Sequence, residues 1–302
     1  MIYLSCNMLP PITRKKFLKV TGLSLAAASL SSFSFDDIKT KKALTIGLCG
    51  NWSNAALAKQ AGCSYIETGV ANLLMPDKPD ADFKNQYDTL AVTQPLKVEC
   101  FNVFLPKELK SVGDQVNHEG IIKYASIAFQ RAEIVGAKII VFGSSGSRTI
   151  PDGFDRTKAK EQFIALCKML APIASKHNIT LAIENLNQSE TNFINKLGES
   201  AEIVEAVRHP NLKLMCDIYH ALKENDSANE LVRYKEHLVH CHIAEKQDRT
   251  APGVMGDDFK PYFNALKKIK YKGRISLECR WKNMEAELPT AVKTLQEQFE
   301  NA

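Results

Sequence analysis

The chain has 302 residues, a formal net charge of +5 and an apolar share of 45%. That share supplies a sizeable core, and the length suits two small domains or one barrel of about 250 residues. Arg14, Lys15, Lys16 and Lys19 precede the first acidic residue, so the part after Phe35 carries only +1, too little to draw a nucleic acid or an anionic membrane onto it.

The first 35 residues read as an export signal. Thr13-Arg14-Lys15-Lys16-Phe17-Leu18-Lys19 has the form of a twin-arginine motif with Lys in place of the second Arg. An apolar stretch from Val20 to Leu30 follows, with Ala26-Ala27-Ala28 as a cleavage site. The expected location is therefore the periplasm. The stretch is too short to span a membrane. Residues 36–42 are a polar linker, and a single domain is expected over 43–302.

From Ala43 onward, short β-forming runs alternate with longer segments of helical period. Strands are predicted at 43–48, 64–68, 97–103, 138–142, 179–184, 212–217, 237–242 and 273–278. Helices are predicted near 52–61, 83–93, 116–136, 157–177, 198–208, 226–233, 259–270 and 284–300. Gly136 and Gly273 are expected to act as helix C-caps. Eight such units without a composition shift predict one α/β fold, a single (β/α)8 TIM barrel. A doubly wound open sheet would gather its ligands at one switch point instead. The cysteines fall mainly in strands and form no Cys-x-x-Cys pair, so they read as small buried hydrophobes rather than a disulfide frame.

Four of the runs end in residues that ligate metals: Glu184, Asp217, His242 and Glu278, at intervals of 33, 25 and 36 residues. In a closed parallel barrel these side chains converge on one mouth. Carboxylates with one imidazole suit a single divalent ion such as Mn²⁺, Mg²⁺, Co²⁺ or Zn²⁺. His240 shares a face with His242 and lies deeper, as a structural neighbour. Gly143-Ser144-Ser145-Gly146-Ser147-Arg148 reads equally as an anion-binding turn anchored by Arg148 and as a plain Gly/Ser-rich loop.

Several of these segments together resemble the xylose isomerase-like TIM barrels, and within them the tagatose/psicose 3-epimerase type of sugar isomerase. They are Ile183-Glu184-Asn185-Leu186-Asn187-Gln188-Ser189-Glu190, Asp217-Ile218-Tyr219-His220, His240-Cys241-His242 with Arg249 downstream, and Leu277-Glu278. The resemblance covers roughly residues 43–300. It implies that Glu184, Asp217, His242 and Glu278 hold one divalent metal, and that Glu184 and Glu278 are also the acid/base pair. It implies that His220, Glu190 and Arg249 orient substrate hydroxyls. Glu67 and Trp52 are further candidate substrate contacts at the ends of strands two and one.

The expected activity is isomerisation or epimerisation of a keto-sugar through an enediolate. The alternative is a hydratase or dehydratase of a keto-sugar or keto-inositol that uses the same metal. The partner expected is a small sugar, with no nucleic acid, and with no membrane once the signal is removed. Homo-oligomerisation stays open. A DNA-repair endonuclease on this fold would need more His ligands than His118, His177, His209, His220 and His237 provide from their predicted helices and loops. A sugar-binding protein without activity would be signalled by loss of one of the two glutamates, and both are present.

Overall fold

A computed structural model describes residues 44–302. The expected export signal and linker lie outside the described residues. Eight strands form a closed parallel barrel in chain order, with β1 paired to β8. They are β1 (Ile46–Cys49), β2 (Tyr65–Gly69), β3 (Val98–Asn102), β4 (Ile139–Phe142), β5 (Thr180–Glu184), β6 (Leu212–Asp217), β7 (Leu238–Ile243) and β8 (Arg274–Leu277). Each falls within a few residues of its predicted position. The parallel pairing follows from the helices between strands, because a crossover returns the chain to the same end of the sheet.

The outer layer holds the long helices α3 (Asp80–Thr93), α4 (His118–Val135), α6 (Arg156–Lys176), α7 (Leu197–Val207), α10 (Lys260–Lys268) and α11 (Met284–Glu300). Short helices α1 (Ala55–Gln60), α2 (Val70–Leu73), α5 (Ser145–Arg148), α8 (Ile218–Lys223) and α9 (Asn229–Arg233) complete it. Of these, α2, α5 and α8 were not expected. They are single turns that begin within a few residues of a strand end and are too short for a periodic pattern. Gly136 caps α4 in the left-handed conformation (φ 86°), as expected. Gly273 does not cap α10, which ends at Lys268 with Lys270 as the left-handed residue (φ 55°). Glycine is needed there for a different reason: a Cβ would lie 2.3 Å from the Tyr271 ring.

The main core lies between barrel and helices, where the outward residues of each strand are buried, for example Phe101, Ile140, Leu181, Leu214 and Ile275. Alternation sends the other residues into the barrel. On β4 to β6 this interior is apolar, with Val141, Ala182 and Met215 in mutual contact. On the opposite side it is polar. Tyr65, Glu67, His240 and Ser276 are fully buried and joined by hydrogen bonds. The mouth rests on this polar half.

Candidate metal and active site

Glu184 closes β5, Asp217 closes β6, His242 is the penultimate residue of β7, and Glu278 follows β8. Register places Asp217 beside His242 and Ile243 beside Leu277, so the four side chains share one level at the C-terminal mouth. One ligand atom from each lies within 4.8 Å of all the others. His242 Nδ1 is 2.7 Å from Glu278 Oε2, 3.3 Å from Glu184 Oε1 and 4.0 Å from Asp217 Oδ2. Asp217 and His242 are fully buried, and the Glu278 side chain keeps 23% exposure.

Local sequence makes this packing possible. Gly143, just beyond β4, faces Glu184 so closely that a Cβ would stand 2.0 Å from its Oε2. Asn185 clamps the next strand: its Oδ1 accepts from the Asp217 N–H at 3.0 Å and its Nδ2 donates to the Asp217 carbonyl at 3.2 Å. Asp217 also caps α8, accepting from the His220 N–H.

Three carboxylates against one imidazole leave an excess of buried negative charge. Within the protein it is met by Arg249, whose Nη2 lies 2.9 Å from Asp217 Oδ2 and 2.5 Å from Glu278 Oε2. His242 Nδ1 is buried, and its neighbours among the described residues are the carboxylate oxygens of Glu278 and Glu184. One imidazole nitrogen among three carboxylates is a donor set that fits one divalent ion of hard or borderline character, which would take the place of the proton on that nitrogen. Burial drives the Glu278 carboxyl upward, but His242 and Arg249 outweigh it and hold the group at about 2. Burial likewise lowers His242, and the carboxylates of Glu67 and Glu278 reverse this and raise it well above the ordinary histidine value. Asp217 is raised, chiefly by burial, with Arg249 opposing.

His220, Glu190 and Arg249 gather at the same mouth. His220 Nε2 is 3.3 Å from Asp217 Oδ2 and 4.0 Å from Glu190 Oε2. Arg249 Nη1 is 3.5 Å from Glu190 Oε1, and its guanidinium lies 4.8 Å from the centre of the Tyr219 ring. Burial lowers His220 to about 4, so the ring is neutral at physiological pH.

Two expected substrate contacts are corrected. Strand β2 runs on to Gly69, which leaves Glu67 below the rim and fully buried. Its Oε1 is 2.8 Å from His242 Nε2, and its Oε2 is 2.7 Å from His240 Nε2 and accepts from Ser276 Oγ at 2.5 Å. Glu67 therefore faces the back of the His242 ring rather than the open mouth. Burial alone would raise its carboxyl, yet His242 and His240 hold it below the ordinary range. Trp52 enters a 3₁₀ turn after β1 that carries it away from the mouth. Its indole N–H donates to the Leu96 carbonyl ahead of β3, and its ring stacks on Tyr87 of α3 at 6.2 Å.

Arg148 is not an anion anchor either. Its guanidinium is fully buried and donates to the carbonyls of Phe142, Glu184 and Ile194. It pins the backbone of Glu184 from beneath. Asn187 and Glu245 were assigned no role in the sequence argument, and both organise the site. The signal for Glu245 was the glycine pair Gly253 and Gly256 downstream, whose left-handed turns fold a loop back onto its carboxylate.

Fold and site together define a TIM barrel with an acidic, histidine-containing mouth suited to a divalent ion. Residues 55–300 match the xylose isomerase-like TIM barrel family, and the chain belongs to it. Among curated proteins it is 34% identical over 116 residues to an L-ribulose 3-epimerase of Methylomonas sp. (strain DH-1), covering 38% of this chain and 40% of that protein. It is 32% identical over 110 residues to a ketose 3-epimerase of Arthrobacter globiformis, covering 36% of this chain and 38% of that protein. The aligned part is thus about two fifths of the length of these relatives. Among solved structures, a 3-keto-D-glucoside 4-epimerase from E. coli superposes with a TM-score of 0.70 at 18% identity, over 84% of this chain and 98% of that one. A D-allulose 3-epimerase from Methylomonas sp., in complex with D-allulose, gives 0.68 at 22% identity, over 85% and 98%. At these identities the structural likeness speaks for the fold.

Proposed function

We propose that the protein is a divalent-metal-dependent isomerase or epimerase of a keto-sugar in which one glutamate takes a proton from carbon and a second gives one back. The observation that carries this reading is the approach of Glu184 and Glu278, from β5 and β8, to within 3.3 and 2.7 Å of the same buried nitrogen of His242. The relatives named L-ribulose and ketose 3-epimerase support the substrate class.

Glu184, Asp217, His242 and Glu278 would hold the ion, which supplies Lewis-acid polarisation of a ketone and a neighbouring hydroxyl when bound. The remaining chemistry belongs to side chains. One glutamate takes the proton from the carbon bearing the hydroxyl, which requires an approach of about 3 Å. The other returns a proton from its own side of the mouth, and return to the opposite face of the same carbon inverts that centre. Return to the adjacent carbon isomerises instead. His220, Glu190 and Arg249 hold hydroxyls so that a single carbon lies between the two carboxylates.

Incubation of Mn²⁺-loaded protein with D-tagatose or D-allulose in D₂O tests this. The expected result is an epimer or isomer carrying solvent deuterium, with Glu184→Gln and Glu278→Gln each losing at least about 10²-fold in turnover. Products lighter by one water, or a fully active glutamine variant, would overturn the assignment.

A further inference from the structure

Asn187 follows β5 by three residues and is fully enclosed at 1% exposure. Its Oδ1 accepts from both the backbone N–H of Ser189, at 2.9 Å, and Ser189 Oγ, at 2.5 Å. With its oxygen committed in this way, the Nδ2 amide points at His220 Nδ1, 2.8 Å away. The backbone N–H of Asn187 donates to the same ring nitrogen at 3.1 Å. Two N–H groups aimed at one imidazole nitrogen require that it carry the lone pair. The ring proton must then sit on Nε2, and a doubly protonated ring would place a third N–H against the other two.

His220 Nε2 is buried, and among the described residues no group accepts a hydrogen bond from it. It faces the gap between Asp217 and Glu190, whose carboxylate oxygens Oδ2 and Oε2 lie 3.3 and 4.0 Å away. A buried donor without an acceptor is costly, by about 1–3 kcal/mol, and a ligand oxygen placed there relieves it.

We propose that Asn187 is a positioning residue that fixes His220 as a one-way hydrogen-bond donor to a substrate oxygen. The substrate hydroxyl read here accepts from His220 and gives its own proton to Glu190, so a hydroxyl satisfies both partners. The inference rests on the keto-sugar reading for the identity of that oxygen, but not for the protonation of His220.

The test has two arms. The first is the imidazole ¹⁵N spectrum of the ligand-free full chain, in which His220 is expected to carry its proton on Nε2. A proton on Nδ1 would overturn the proposal whatever the enzyme does with sugars. The second arm compares Asn187→Asp with Asn187→Ala, using D-tagatose turnover and Mn²⁺ affinity. Aspartate sets an acceptor against Nδ1 and draws the proton there, whereas alanine leaves the backbone donor in place. Asn187→Asp is expected to raise KM by about tenfold or more, and Asn187→Ala by about threefold or less, with Mn²⁺ affinity unchanged in both. A role in packing alone predicts the opposite order, because Asp matches Asn in shape. If alanine is as damaging as aspartate, the positioning role is wrong. Should Asn187→Asp fail to fold, the wild-type spectrum and the alanine variant decide. Absence of any ketose turnover by the wild type would refute the functional reading and leave the spectrum to judge Asn187.

Discussion

Glu67 meets two imidazoles and one hydroxyl with a carboxylate that, ionised, can only accept. Both His240 and His242 must then present Nε2–H, and His242 is left with Nδ1 turned toward Glu184, Asp217 and Glu278. Tyr65 extends the chain, because Ser276 gives its proton to Glu67 and receives one from the Tyr65 hydroxyl. A carboxylate behind a ligating histidine commonly fixes the ring and raises its basicity, and loss of such a partner costs about 10–100-fold in metal affinity. In Glu67→Gln the side chain keeps one acceptor and gains a donor, so it can serve only one of the two imidazoles. We expect its Mn²⁺ affinity, measured by calorimetry, to fall by about 10–100-fold. Glu67→Asp keeps the charge and should fall between wild type and Gln. Wild-type affinity in Glu67→Gln would make Glu67 a packing residue only.

The element that depends most on a single side chain is the loop from β7 to α10, which carries Arg249. Glu245 is fully buried at its base and accepts from Thr250 Oγ1 and from the backbone N–H groups of Gly253, Met255, Gly256 and Asp257. Asp248 and Arg249 themselves sit at positive φ, 54° and 56°, a conformation this anchoring has to hold. Glu245→Gln replaces one acceptor oxygen with an NH₂ group facing backbone N–H donors. Faster proteolytic cleavage within 246–257 is expected, with a several-fold rise in KM for a ketose. Unchanged cleavage would show that the loop folds without its anchor.

The same scale explains what could be read from the sequence. Strand positions and the convergence of Glu184, Asp217, His242 and Glu278 were legible because each of these side chains ends a short apolar run at the same end of the barrel. Glu67 and Trp52 were misplaced because the signal does not fix where a strand stops. Two further residues of β2 sink Glu67 below the rim, and a single 3₁₀ turn sends Trp52 outward. Arg148 was left open between two readings for a related reason. A cation in a Gly/Ser-rich loop suggests an anion, while its actual partners are carbonyls of Phe142, Glu184 and Ile194, which leave no mark in composition.

At the scale of the molecule, the four candidate ligands come from the consecutive strands β5, β6 and β7 and from the end of β8, which closes the ring onto β1. Without an ion, three carboxylates repel one another at the mouth, with His242 and Arg249 as the opposing charges in direct contact among the described residues. An ion bound to the folded barrel but not to the unfolded chain removes that repulsion and ties half of the sheet together. Linkage gives the size: at a free ion concentration one hundred times Kd, the stabilisation is about 2.7 kcal/mol. For a domain of this length each kcal/mol moves Tm by about 2–4 °C, so chelation should lower Tm by roughly 5–10 °C, and added Mn²⁺ should restore it. Asp217→Asn supplies the control, because it removes a ligand charge and weakens the mutual repulsion together. Its ion-free Tm should equal or exceed that of the ion-free wild type, while its response to Mn²⁺ should largely vanish. A Tm indifferent to chelator in the wild type would mean that Arg249 already neutralises the mouth and that the four strand ends hold no ion.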